Sequence, residues 1–218
     1  MKKYFITAAG TGVGKTFITA ALTDDLCKRG KQVSAIKPVI SGFDPAAPGG
    51  SDTGILLKAQ GLGLSEKNIQ ACSPWRFIEP ISPDMAAENE NRAIDFAELI
   101  AFCKQDRKAD YHIIEGVGGV MVPITAAHTV LDWMVALDHP VILVSGSYLG
   151  ALSHTLTAVN TLLAHKLPLH SVVISESETS PVPPERILLT LKHFLPNDLS
   201  VLLVKRGAGT QTLADSIL

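Results

Sequence analysis

The residues best suited to chemistry lie near the amino terminus, where Gly10-Thr11-Gly12-Val13-Gly14-Lys15-Thr16 sets a lysine and a hydroxyl directly behind three alternating glycines. Glycines let successive backbone N–H groups face one concavity. A helix starting at Gly14 or Lys15 adds its unpaired N–H groups and the positive end of its dipole. Lys15 supplies a full charge for the outer phosphates of a nucleotide, and the Thr16 hydroxyl can ligate a divalent cation. The dipole is worth only about 0.3–1 kcal/mol per anionic group at an exposed site. Lysine and metal therefore carry most of the charge compensation. Ala9 stands where the usual phosphate-loop pattern has its first glycine.

Two further groups belong to the same chemistry. Lys37-Pro38 follows the strand-like run Gln32–Ile36, and a lysine at the carboxyl end of a parallel strand is a second anion ligand. Glu115-Gly116-Val117-Gly118-Gly119 follows the buried run Tyr111–Ile114. The acid can hold Mg²⁺ or its water, and the glycines leave room for phosphate. Asp52, one residue after the helix cap Ser51, reads from spacing alone as a first-turn acid that favours the dipole.

These groups need strands to carry them and helices to follow. Tyr4–Ala9 is a short apolar strand, and Phe17, Ile18, Ala21, Leu22 and Leu26 repeat with helical spacing behind it. Arg29-Gly30-Lys31 ends that helix. Asp95 with Glu98 opens a helix whose buried face is Phe96, Leu99, Ile100 and Cys103. Residues 73–84, with three prolines, read as irregular. Thr129–Leu137 is a helix with Trp133 and Met134 in the core. Pro140–Val144 is a buried strand, and the helix after it, from about Ala151 to His165, offers a second anion cradle at Gly150. His154 near its start reads as a packed or capping side chain. Ser171–Ser175 and Val201–Val204 are further strands, with a helix starting at Pro183 or Pro184 between them. Alternating strands and helices predict an α/β fold: one domain over 1–218, a mostly parallel sheet of about seven strands, and helices on both faces.

Composition agrees. Of 218 residues, 46% are hydrophobic and 18% charged, which allows a large core. A net charge of −2 with no basic stripe argues against nucleic acid. The apolar run after Met1-Lys2-Lys3 is too short for a secretory signal, and no segment is long enough to span a bilayer. Cys27, Cys72 and Cys103 fit reduced, buried thiols of a cytoplasmic protein.

Taken together, Val13-Gly14-Lys15-Thr16, Lys37-Pro38-Val39 with Ser41-Gly42, Ser51-Asp52, Glu79-Pro80 with Ser82-Pro83, Glu115-Gly116 with Gly118-Gly119, Asp132-Trp133, and Leu149-Gly150 with His154 resemble the dethiobiotin synthetase family. The resemblance implies a phosphate-loop NTPase-like fold and an ATP- and Mg²⁺-dependent ligase of biotin biosynthesis that joins 7,8-diaminononanoate and CO₂. By the same resemblance, Lys15, Lys37 and Thr11 are catalytic. Gly12, Val13, Gly14, Lys15, Thr16, Glu115, Gly118 and Ser175 hold the nucleotide. Thr11, Ser41, Lys37, Gly150 and Ser153 hold the diamine, and Thr16, Asp52 and Glu115 hold Mg²⁺. It further implies a homodimer with active sites at the interface, where the helix start near Gly150 grips the substrate carboxylate of the neighbouring subunit's site. Three positions depart from the family: Ser153 replaces an Asn, Ser175-Glu176 replaces an Asn-Asp pair, and Lys205-Arg206-Gly207 replaces Glu-Ile-Pro. The last two bear on the choice of base. The alternative is a partitioning or site-placement ATPase of the same superfamily, working as a switch; its early loop lysine would fall at Gly10.

Overall fold

The hydrophobic periodicity resolves into alternating strands and helices in a computed structural model that describes residues 1–207 and 212–218. In chain order the elements are β1 (Lys2–Ala8), α1 (Lys15–Lys28), β2 (Val33–Ile36), β3 (Val39–Ser41), α2 (Asp52–Ala59), α3 (Glu66–Cys72), β4 (Trp75–Phe77), α4 (Pro83–Asn89), α5 (Phe96–Lys104), β5 (Tyr111–Glu115), α6 (Val130–Leu137), β6 (Val141–Ser145), α7 (Ala151–Ala164), β7 (Leu169–Ser175), α8 (Pro184–Phe194), β8 (Ser200–Val204) and α9 (Leu213–Ile217). Six strands form one parallel sheet in the order β2-β5-β1-β6-β7-β8. β3 and β4 form a separate parallel pair.

The side-chain alternation of the strands sorts the core into two layers. Tyr4, Ile6 and Ala8 of β1 join Ile113, Ile142, Val144 and Val173 beneath Ile18, Leu22 and Leu26 of α1. Phe5, Ile114, Val141, Leu143, Val172 and Ile174 face the other way, against α5, α6, α7 and α8. Trp133 of α6 meets Phe5 edge to face, with ring centroids 5.0 Å apart. A third, smaller cluster, Ile40, Phe43, Leu56, Leu57, Ile69 and Cys72, supports the segment between β3 and α3.

Caps fix where helices begin. Ser51 Oγ accepts the Gly54 N–H, Asp95 accepts the Glu98 N–H, and Thr129 with Asp132 forms a full capping box. Two stretches differ from the sequence reading. Residues 73–84 hold β4 and the start of α4, because the Trp75 N–H pairs with the Pro38 carbonyl and seeds the small second sheet. The tail after β8 ends in α9, where the buried Asp25 carboxylate accepts the Ala214 N–H and Arg29 bridges Asp25 and Asp215. Cys72 and Cys103 are buried, as expected, but Cys27 is only half-buried. Burial pushes the Cys103 thiol up to about 12. Among the described residues no helix is long and apolar enough to cross a membrane.

His112 on β5 is fully buried, with its ring nitrogens 3.2 Å from the Ser34 carbonyl and 3.1 Å from the Cys103 carbonyl. Burial, the largest influence, and the Arg107 charge lower its pKa to about 4, although the two carbonyls favour the proton. Between about 6.5 and 4 the unfolded chain then binds more protons than the folded one. Stability is therefore present above pH 6.5 and lost as pH falls through that window. Denaturant titrations of wild type and His112→Gln across it should diverge, the wild type losing up to about 1.4 kcal/mol more per pH unit.

Candidate active site

Parallel strands all point one way, so their carboxyl ends meet along one edge. The phosphate loop follows β1, Lys37 follows β2, Glu115 ends β5 and Ser175 ends β7. Strand order reverses around β1, and ligands of open α/β sheets bind in such a crevice. The loop takes its shape from left-handed backbone at Gly12 (φ 72°) and Gly14 (φ 93°), the latter being the residue before α1.

At the centre is the Glu115 carboxylate, which has no exposed surface. Its Oε1 accepts the Lys37 ammonium at 2.7 Å and the Thr16 hydroxyl at 2.7 Å. Its Oε2 is buried with no partner. Lys37 Nζ also donates to the Gly116 carbonyl at 3.1 Å and pairs with Asp52 Oδ2 at 2.9 Å. Burial works against the Lys37 charge, but Glu115 and Asp52 outweigh it and raise its pKa. Asp52 is likewise pushed up by burial and held down by more than that through Lys37, with help from Lys15. Lys15 is different: burial, together with repulsion from Lys37, lowers it to about 8 despite Glu115 and Asp52.

A cavity of about 600 Å³ opens over this cluster, lined by Thr11, Gly12, Gly14, Lys15, Thr16, Lys37, Ser41, Asp52 and Gly118 among others. The Ser41 Oγ is buried without a partner. On the far side of the loop a second cavity, of about 340 Å³, is lined by Gly12, Val13, Gly14, Ser175 and Glu176. A third, of about 430 Å³ and largely apolar, runs from Thr11 and Val122 to His154 and Thr161. Gly150 and Ser153 line none of these three. His154 is exposed rather than packed, and its Nδ1 hydrogen-bonds the Tyr148 hydroxyl at 2.7 Å.

The structure gives the glycines after Glu115 separate reasons. A Cβ on Gly116 would lie 2.9 Å from the Phe5 ring and one on Gly118 2.6 Å from Val122, whereas one on Gly119 would make ordinary contact with the Gly10 backbone at 3.4 Å. Gly118 alone lines the cavity, with a positive φ of 58°. Spacing alone took Asp52 for a dipole partner and the resemblance for a Mg²⁺ ligand, and neither foresaw its pairing with Lys37. Nor did either foresee the hydrogen bond from Thr16 to Glu115 across 99 positions. The Thr16 hydroxyl, Asp52 and Glu115 form an all-oxygen set with one orphaned carboxylate oxygen, which suits a hard divalent cation. No three His, Cys, Asp or Glu side chains gather anywhere among the described residues, this site included, and a cation that keeps several waters does not need them.

This sheet, loop and acid define a P-loop nucleotide-binding protein. Among solved structures the chain is similar to the MinC:MinD cell division complex of Aquifex aeolicus, with a TM-score of 0.57, 14% identity, and coverage of 100% of this chain and 85% of that one. It is also similar to the septum site-determining protein MinD complexed with Mg-ADP from Pyrococcus horikoshii, with a TM-score of 0.55, 17% identity, and coverage of 96% and 85%. At these identities the likeness concerns the fold alone. Residues 2–212 match the AAA domain family. The chain is 45% identical over 216 residues to the ATP-dependent dethiobiotin synthetase BioD of Methylobacterium nodulans, covering 96% of this chain and 95% of that protein. It is 46% identical over 198 residues to the synthetase of Acidiphilium cryptum, covering 89% of each, and 32% identical over 199 residues to BioD 1 of Salmonella typhi, covering 91% and 87%. The chain belongs to the dethiobiotin synthetase family.

A methyl group at position 14 tests the loop geometry. The added Cβ would collide with Ser175 Oγ and stand 3.0 Å from its Cβ, at a φ that disfavours side chains. Gly14→Ala is expected to lower the melting temperature and to lose most of the thermal shift that Mg-ATP gives the wild type. Ser175→Ala in the same chain should not restore it, since the second contact persists.

Proposed function

We propose that this protein is the ATP-dependent ligase that closes the ureido ring of dethiobiotin from 7,8-diaminononanoate and CO₂ in biotin biosynthesis. The observation that carries the reading is the buried Lys37, clamped by Glu115 and Asp52 on the floor of the cavity that also holds Lys15. One amine of the substrate attacks CO₂ and gives a carbamate. A carbamate oxygen attacks the γ-phosphorus of ATP and expels ADP, leaving a carbamic-phosphoric anhydride. The second amine attacks its carbonyl carbon and expels phosphate. No protein nucleophile is needed, because the two amines are already tethered and well-oriented intramolecular attack reaches effective molarities of about 10⁵ M or more.

The chain's own part is to let two anions approach. Lys15 contacts the β- and γ-phosphates and the charge that develops between them and the carbamate. Lys37, held by its two carboxylates, presents a fixed positive charge to the γ-phosphate and carbamate. Thr11 and the unpartnered Ser41 hydroxyl orient the carbamate or diamine, and the backbone of Gly12, Val13 and Gly14 wraps the phosphates with Gly118 opposite. Thr16, Asp52 and Glu115 are the residues that would hold Mg²⁺. Bound there, Mg²⁺ would supply positive charge against the phosphates. Ser175 lines the cavity that takes the base.

We further infer a homodimer. Gly150 and Ser153 lie at the start of α7, line none of the three cavities described above, and serve the carboxylate tail of substrate bound to a second copy. The three cysteines, all free, suit a reducing cytoplasm. The switch-ATPase alternative shares the fold, but the relatives at 45% and 46% identity are synthetases.

Phosphate release with ATP, Mg²⁺, bicarbonate and diaminononanoate, each omitted in turn, tests the reading. Turnover should need all four; brisk hydrolysis indifferent to the diamine would favour the switch. Lys15→Ala is expected to lower ring formation at least ~10²-fold with little change in melting temperature. Lys37→Ala should lose activity as fully but also about 3–5 kcal/mol of stability, because Glu115 is left buried and uncompensated.

A further inference from the structure

The cavity on the β7–β8 side of the phosphate loop is a built subsite. Ser175 is buried at its floor, and the Ser175 Oγ meets no hydrogen-bond partner among the described residues. The same oxygen crowds Gly14, so the subsite is continuous with the loop that takes the phosphates. Glu176 lines the cavity and is fixed twice: its N–H donates to the Val204 carbonyl at 2.9 Å, and its Oε2 accepts the Arg206 N–H at 2.8 Å. Its Oε1 accepts no hydrogen bond, and no ammonium or guanidinium forms an ion pair with it, among the described residues. Ser177 is locked to Ser147 by reciprocal N–H to Oγ bonds of 2.9 Å each, which holds the loop bearing Glu176 and Glu178 in place.

Among the described residues the polar side chains on this wall are two carboxylates, two hydroxyls and the Arg206 guanidinium, with no side-chain amide. An ionised carboxylate only accepts hydrogen bonds. The free Oε1 of Glu176 therefore seeks donors on the base. Adenine offers one exocyclic amine, beside a ring nitrogen whose lone pair would face the carboxylate. A 6-oxopurine places a ring N–H where adenine has that lone pair, and guanine adds a second amine beside it. We propose that the base subsite reads hydrogen-bond donors, so that 6-oxopurine nucleoside triphosphates serve as phosphoryl donors alongside ATP, with Glu176 as the specificity-determining residue. The inference rests on the ring-forming reading above and concerns only which triphosphate feeds it.

Dethiobiotin formation by the full chain, at saturating Mg²⁺, bicarbonate and diaminononanoate, gives kcat/KM for ATP, GTP and ITP in the wild type and in Glu176→Gln. GTP and ITP should reach at least about a tenth of the ATP value, and the amide should lower the GTP:ATP ratio about tenfold or more. The ratio is independent of how much of the variant folds. Wild-type values for GTP and ITP below about a tenth of that for ATP, or a ratio that the amide leaves unmoved, overturns the proposal. Calorimetry of Mg-ATP and Mg-GTP binding without diamine separates the two readings. If no triphosphate yields dethiobiotin, the ring-forming reading falls. Even then, comparable affinities that diverge in Glu176→Gln support the base assignment, and affinities unaffected by the substitution reject it.

Discussion

The structure turns on one carboxylate that has no surface. Glu115 at the end of β5 would be costly to bury alone, and it is tolerated because Lys37, just after β2, and Thr16, in the first turn of α1, reach the same oxygen. That requirement sets the register of three segments at once. β1 must place its loop beside β5, with Ile6 opposite Glu115. β2 must lie on the other side of β5, with Ile36 opposite Ile114, so that the next residue points inward. A shift by one residue in either pairing would turn the participating side chain to the opposite face of the sheet.

The same arrangement gives the two lysines unequal standing. Lys37 is held between two acids, so its charge is permanent and its position fixed. Lys15 lies close enough to share the field of those acids but bonds neither, and it is also repelled by Lys37. One cation is thus bonded within the fold, and the other, bonded to no carboxylate, has more to gain from an incoming polyanion. A cavity containing two equally satisfied lysines would attract phosphate less strongly.

Much of this was legible in the chain. The phosphate loop declares itself because a strand, alternating glycines, Lys-Thr and a helical apolar repeat follow one another without a gap. Glu115 was legible as an acid closing a buried apolar run. Asp52 was ambiguous, since a first-turn acid has a local use that spacing cannot tell from a distant one; only the meeting of α2 with Lys37 decides it. β3 and β4 were missed because three residues each carry no period, and their pairing depends on a contact across 37 positions. α3 was missed because Glu66–Cys72 buries only Ile69 and Cys72, too few for an apolar stripe. The glycines behind Glu115 were legible as necessary but not for the right reason, since Gly116 answers to the Phe5 ring and Gly118 to Val122 and its left-handed backbone.

The fastening of α9 to α1 has a consequence beyond stability. Asp25, which receives the Ala214 N–H, sits on the helix whose first turn carries Lys15 and Thr16. A bulky fusion that pulled α9 from its seat would tug on the rod that aims those two side chains. A reporter protein joined behind Leu218 therefore needs a slack tether if the grip on nucleotide is to survive unaltered.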